Sequence, residues 1–269
     1  MGKHEGKCAI CGRITELTFE HIPPEATYNS TPAKPVSGKQ LLDAPDRLPW
    51  DTEGLRYENQ QRGMGKYSLC SECNNNTGAW YGASYTEFAR IAGSAIKNLS
   101  REENAAICIK EVYPARIIKQ VLSMFCSILP REQNAFDDIR AFVLDREAVG
   151  LDRNKYRIHM YFTDSPLMKY NGLTMMCKFS DTFQSQQVCE ITAYPLGFLL
   201  YYEPNPDWNY HGTDITDFAD CKYDDLATIR LPWVIQEMNG LFPEDYRTKD
   251  EIIECIEEAK RFEKEYPDL

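Results

Sequence analysis

Apolar and polar positions alternate or recur with clear periods over much of the chain. Near the N-terminus, residues 17–21 place Leu17 and Phe19 on one side, the two-residue period of a short strand, and Pro23 and Pro24 stop it. Residues 26–66 lose all periodicity and are rich in Pro, Gly, Ser and Asn, so a long loop is expected there. Order resumes with a helix over roughly 77–98, in which Tyr81, Tyr85, Phe88, Ala92, Ala95 and Leu99 fall at helical spacing. Pro114 suits the first position of a second helix, with Ile117, Ile118, Val121, Leu122 and Phe125 as its buried stripe. A short helix is expected around 132–144.

From 155 to 235 the pattern changes. Five short segments rich in aromatic and β-branched residues, KYRIHMYFT, LTMMCKFS, QVCEITAYP, LGFLLYYE and ATIRLPWVI, read as strands of a mostly antiparallel sheet. The chain closes with a helix over about 249–265. Thr248 and Glu251 form its capping box, and Ile252, Ile256, Ala259 and Phe262 give one apolar face. The fold class is therefore α+β, in two parts: 1–100, with the loop inserted at about 26–66, and 101–269.

Charge divides the chain at the same place. The net charge is −11, and all of it falls within 101–269. Residues 1–100 are neutral, so a polyanion would meet its partner there and avoid the acidic remainder. The acidic α+β part reads as a protein-partner, homo-oligomer or regulatory module. No apolar run is long enough for a membrane span, and the first residues lack a signal-peptide core, so a cytoplasmic chain is expected.

A cytoplasmic reading makes the ten cysteines thiols rather than disulfides. Cys108, Cys126, Cys177, Cys189, Cys221 and Cys255 occur singly and are expected mostly as small buried hydrophobes. The other four form two Cys-x-x-Cys pairs, Cys8/Cys11 and Cys70/Cys73, separated by 58 residues. Four soft thiolates in two knuckles are a tetrahedral zinc set with no open position, hence structural. Gly12 supplies the tight backbone after the second thiolate.

The segments CAICG, FEHIPP and LCSECNNNTG, within residues 7–80, resemble the His-Asn-His (HNH) endonucleases, the ββα-metal family. The resemblance covers about a quarter of the chain. It implies a zinc-stapled ββα-metal, treble-clef-like module and a metal-dependent endonuclease acting on phosphodiester bonds, with DNA ahead of RNA as substrate. Carried over by position, His21 would be the general base, and Glu20 and Asn74 would hold one catalytic Mg2+ or Mn2+. The family's last histidine is absent. Asn74 stands in its place, with Asn75 and Asn76 as competitors, and Asn59 is the candidate for the middle asparagine. Small nucleases of this type often serve phage, mobile-element or defence systems.

Each assignment has a plainer counterpart. His21 would otherwise satisfy a carbonyl at a strand end, and Asn74–Asn76 would cap the helix. Arg56, Arg62 and Lys66 would contact phosphates beside the metal or lie on a solvated loop. Trp80, Tyr81 and Tyr85 would stack on bases but are expected in the core. The competing function is a zinc-stapled adaptor without catalysis.

Overall fold

The computed structural model describes residues 4–44, 46–99, 105–132, 134–179 and 183–266. The first strands are β1 (Glu5–Lys7), β2 (Ile14–His21) and, after the long loop with its one short helix α1 (Gly38–Leu42), β3 (Gly65–Cys70). They form an antiparallel sheet in the order β1-β2-β3, with Glu20 opposite Lys66 and His21 opposite Gly65.

A continuous helical path follows directly: α2 (Ser71–Thr77), one π-helical turn (Gly78–Gly82) and α3 (Ala83–Asn98). It begins six residues before the expected start. The reason is the N-cap, which is Cys70: its sulfur accepts the amide of Cys73 at 3.4 Å. A capping thiol carries none of the usual Ser/Thr/Asp/Asn signal. The capping role considered for Asn74, Asn75 and Asn76 is thereby corrected, since all three lie inside α2.

The remaining elements are β4 (Ala106–Val112), α4 (Pro114–Ile128), α5 (Asp137–Leu144), β5 (Tyr156–Phe162), β6 (Lys169–Phe179), β7 (Phe183–Ala193), β8 (Leu196–Tyr202), β9 (Thr213–Asp214), β10 (Ala227–Pro232) and α6 (Lys249–Glu265). An antiparallel sheet runs in the order β6-β7-β8-β5-β9. Four of the five expected strands lie in it. The fifth, in ATIRLPWVI, instead pairs as β10 with β4, a strand whose partner is more than 100 residues away in sequence. Pairing across that distance leaves no local periodic signature.

The centre of the molecule is α4. Pro114 occupies its first turn as expected, and every residue but Arg116 is buried. Ile117, Ile118, Val121, Leu122 and Phe125 each contribute roughly 1.5–3 kcal/mol by leaving water. The helix touches α3, α5, β3, β6 and the π turn. One apolar cluster extends from Cys8 to Trp233, so the core is continuous across the change in charge at residue 100.

The capping box of α6 forms in both directions, Thr248 N to Glu251 Oε2 at 2.7 Å and Glu251 N to Thr248 Oγ1 at 3.2 Å. Its expected apolar face is mostly uncovered: Ile252 is buried, while Phe262 is 54% exposed. Of the single cysteines, Cys126 and Cys189 are buried, but Cys108, Cys177 and Cys255 are exposed and Cys221 is intermediate. Cys177 shows why burial was misjudged, since it lies on the outward side of the edge strand β6. Among the described residues no helix is long and apolar enough to cross a membrane.

Candidate metal centre and adjoining cleft

The turn after β1 places Cys8 and Cys11 together. Gly12 adopts φ +75°, which lets its amide reach Cys8 O at 3.0 Å and that of Cys8 reach Arg13 O at 2.8 Å. The β2–β3 pairing then brings the knuckle to the start of α2. The ligand atoms of Cys8, Cys11, Cys70 and Cys73 all lie within 4.8 Å of one another. Cys11 Sγ and Cys70 Sγ are 3.8 Å apart. Tetrahedral thiolates at about 2.3 Å from an ion would stand roughly 3.8 Å apart, so these four residues could hold a metal such as zinc.

Hydrogen-bond donors point at the sulfurs of Cys8 and Cys11. Cys70 N donates to Cys8 Sγ at 3.3 Å, and Arg13 Nε donates to Cys11 Sγ at 3.3 Å. The hydrogen bond between Cys73 and Cys8 is the largest influence on both thiols, holding that of Cys8 well below its ordinary value and that of Cys73 well above it. Arg13 also pairs with Glu72 on α2, tying the knuckle to the helix. Behind the knuckle the buried guanidinium of Arg140 donates to Ala9 O at 3.0 Å and Pro130 O at 2.9 Å and pairs with Asp137 at 3.0 Å. Such outer contacts fix ligand backbones as firmly as the ligands themselves.

Beside this centre lies a cleft of about 890 Å³. Glu20, His21 and Asn74 all line it, so the two ends of the resemblance meet in space. Arg56, Arg62 and Lys66 are exposed and are not among its lining residues; neither is Asn59, which is also exposed.

Each of the three lining residues has a definite setting. Glu20 is 7% exposed, and burial without a compensating cation raises its carboxyl to about 8. His21 Nε2 lies 2.9 Å from the carbonyl oxygen of Arg62. A carbonyl only accepts, so Nε2 carries the proton and Nδ1 keeps the lone pair of a base. Asn74 Nδ2 donates to Thr18 Oγ1 at 2.9 Å and Phe19 O at 3.3 Å, which commits its amide nitrogen to β2 and leaves Oδ1 as a donor atom for a cation.

The long loop is organised by a residue that composition did not single out. Asn29 is buried, and it donates to Pro23 O at 2.6 Å and Met64 O at 2.8 Å while accepting Met64 N at 2.7 Å. It clamps the exit of β2 to the entry of β3, the two segments that bring His21 and Arg62 together. Gly63 is required beside it: its φ is +95°, and a Cβ there would sit 2.0 Å from Asn29 O.

The far wall of the cleft is helical. Asn74, Gly78, Gly82, Thr86, Arg90 and Ser94 face it at intervals of four. In a regular helix, at about 100° per residue, that interval would drift off the face. The π turn at Gly78–Gly82 takes back part of the drift. The aromatic residues of the same path point the other way: Tyr81 and Tyr85 are buried, and Trp80 packs against the core, in agreement with the packing expectation. Gln120 of α4 forms part of the cleft lining, 1% exposed, with no donor to its Oε1 among the described residues.

The acidic second half supplies supports for this wall. Tyr170 donates to Ile22 O, Tyr223 to Trp80 O at 3.1 Å and Tyr194 to Gly93 O at 3.1 Å. These tyrosines sat among strand-forming aromatics in the sequence, where nothing marked them as reaching the site.

Comparison with protein-family models, with curated proteins and with solved structures returns no significant match.

Proposed function

We propose that this chain is a metal-dependent endonuclease of the HNH type, hydrolysing phosphodiester bonds in DNA, with a structural zinc at Cys8, Cys11, Cys70 and Cys73. The observation that carries the reading is the meeting of Glu20, His21 and Asn74 on one cleft beside the four-cysteine centre. The order of parts supports it as well: two paired strands, then a helix, with the cysteines joining the strand ends to the helix start. This order is the one a ββα-metal module would have.

The chemistry is hydrolysis. His21 Nδ1 takes a proton from water as the water oxygen bonds to phosphorus, and the P–O bond to the leaving oxygen breaks. The leaving oxygen takes up a proton from solvent. The Nε2–H to Arg62 O contact holds the ring in the tautomer this needs. Glu20 and Asn74 Oδ1 would hold a Mg2+ or Mn2+ ion, which when bound supplies positive charge against the developing phosphorane. Oxygen donors suit those hard cations, with water and phosphate completing the shell. The buried Glu20 carboxyl, without a cation beside it, is a fitting ligand.

Cleavage of plasmid DNA under Mg2+ or Mn2+, lost in His21→Ala, tests the proposal. Parallel assays on RNA separate the substrates. Zinc in the purified protein with no cleavage under any divalent cation would leave the adaptor reading instead.

A further inference from the structure

The cleft does not end at the candidate metal ligands. A second cavity, of about 730 Å³, adjoins it and shares Glu25, Ala26 and Arg90 with it. Its outer side is formed by Tyr28 and Ser30. The volume is in the range of small-ligand pockets, room enough for one nucleotide.

Tyr28 is displayed there at a structural cost. Its φ of 64° is a left-handed conformation that a bulky side chain rarely adopts. The residue is 41% exposed all the same. The ring is braced by an edge contact with Tyr194 at 5.0 Å and by Lys97 Nζ at 5.9 Å from its centroid. Gly93 makes the seat possible, since a Cβ there would lie 2.6 Å from the Tyr28 hydroxyl.

The charge along this path is equally specific. Among the described residues, Arg90 is the one guanidinium or ammonium group lining either cavity. Glu87 stands one turn before it on α3, yet among the described residues neither Arg90 nor Lys97 has an ion-pair partner. An aromatic face and an unpaired guanidinium, side by side, match a base and its phosphate.

Resting on the nuclease reading, the geometry points to a shelf of Tyr28, Arg90 and Lys97 that seats the nucleotide next to the scissile phosphate, unpaired, with its base on Tyr28 and its phosphate at Arg90. A base can use Tyr28 in this way only when it has left its own stack. The net charge of −11 agrees, because the chain lacks the broad basic surface that a long duplex footprint needs. The substrate class is therefore DNA with a single-stranded stretch, a flap or a mismatch at the cut.

The test is binding, measured apart from cleavage, by fluorescence anisotropy with a labelled single-stranded DNA oligonucleotide and its duplex. Full-length His21→Ala protein with Mg2+ is the parent. Tyr28→Leu is expected to weaken single-strand binding roughly tenfold, and Tyr28→Phe, which keeps the ring, to bind like the parent. Arg90→Gln, at an exposed position that folding does not depend on, is expected to weaken binding and reduce the salt slope by about one. Parent-like binding by both Tyr28→Leu and Arg90→Gln overturns the shelf, as does parent-like binding by Arg90→Gln alone should Tyr28→Leu not fold. Equal affinity for the blunt duplex overturns the unpaired nucleotide, and a preference for RNA overturns the DNA assignment. Unchanged binding in the variants, with DNA cleavage intact when the same substitutions stand in the wild-type chain, defeats this inference alone. No nucleic-acid binding and no cleavage by the wild-type chain defeats the nuclease reading with it.

Discussion

The side chain of Asn29 grips Met64 from both sides, accepting its amide at 2.7 Å and donating to its carbonyl at 2.8 Å. Through the third bond, to Pro23 O, it joins the exit of β2 to the entry of β3. Together with the backbone bond from Ile22 N to Met64 O at 3.0 Å and the Gln60 side chain on Gly65, it sets where Arg62 presents its carbonyl to His21.

Asn29→Ala should therefore act on stability and site geometry together. It strands Met64 N and Pro23 O, while Met64 O keeps the amide of Ile22 at 3.0 Å, and each buried polar group left without a partner costs about 1–3 kcal/mol. A fall in Tm of roughly 5 °C or more is expected by calorimetry. Gly63→Ala should also lower Tm, because its left-handed φ and the approach of Asn29 O leave no room for a methyl group. A wild-type Tm in both variants would mean that the clamp is not holding the loop.

Cys70 has two functions that one substitution separates. Its sulfur caps α2, and it is one of the four candidate metal ligands. Ser is a good N-cap, so Cys70→Ser keeps the cap and removes the soft ligand. If the four cysteines hold zinc, elemental analysis should give about one zinc per wild-type chain and much less in the variant, with a large loss of Tm. Wild-type protein without metal, and a variant of unchanged stability, would reduce the cysteines to packing.

Glu20 predicts a direction with pH. Burial raises its folded-state carboxyl to about 8, above the ordinary 4.5. Between those values the folded chain keeps a proton that the unfolded chain releases, so rising pH costs stability, and the full penalty is present above about 8. Without added Mg2+ or Mn2+, Glu20→Gln should raise Tm by several degrees at pH 8.5 and hardly at all near pH 4. An equal effect at both pH values would contradict the buried, uncompensated carboxyl.

What could be read in the sequence was what is local. The Cys-x-x-Cys pairs, the Glu-His-Ile-Pro stretch, Pro114 opening a helix and the Thr248–Glu251 box each lie within a few residues, and each takes the form its neighbours dictate. The Asn29 clamp was hidden because Met64, its partner in two of the three bonds, lies 35 residues away across an aperiodic loop. Arg90 and Gln120 were hidden differently. A stripe spaced by four from Asn74 stays on the cleft with the help of a π turn that takes back part of the drift, and Gln120 arrives there from α4. Arg56, Arg62 and Lys66 were singled out by charge, yet charge on an exposed loop carries no information about which way the loop folds. The tyrosines at 170, 194 and 223 looked like ordinary strand and loop aromatics. Their hydroxyls reach Ile22 just past β2, α3 and the π turn through tertiary packing alone.

The central claim is that His21 acts on water beside a cation held by Glu20 and Asn74. The direct measurement is the rate of nicking of supercoiled plasmid by the purified chain, with Mg2+ or Mn2+, for wild type and His21→Ala. The account predicts cation-dependent nicking that falls by about 10²–10⁴ in the variant, while zinc content and Tm stay near wild type. Nicking that persists at the wild-type rate in folded His21→Ala protein would contradict it.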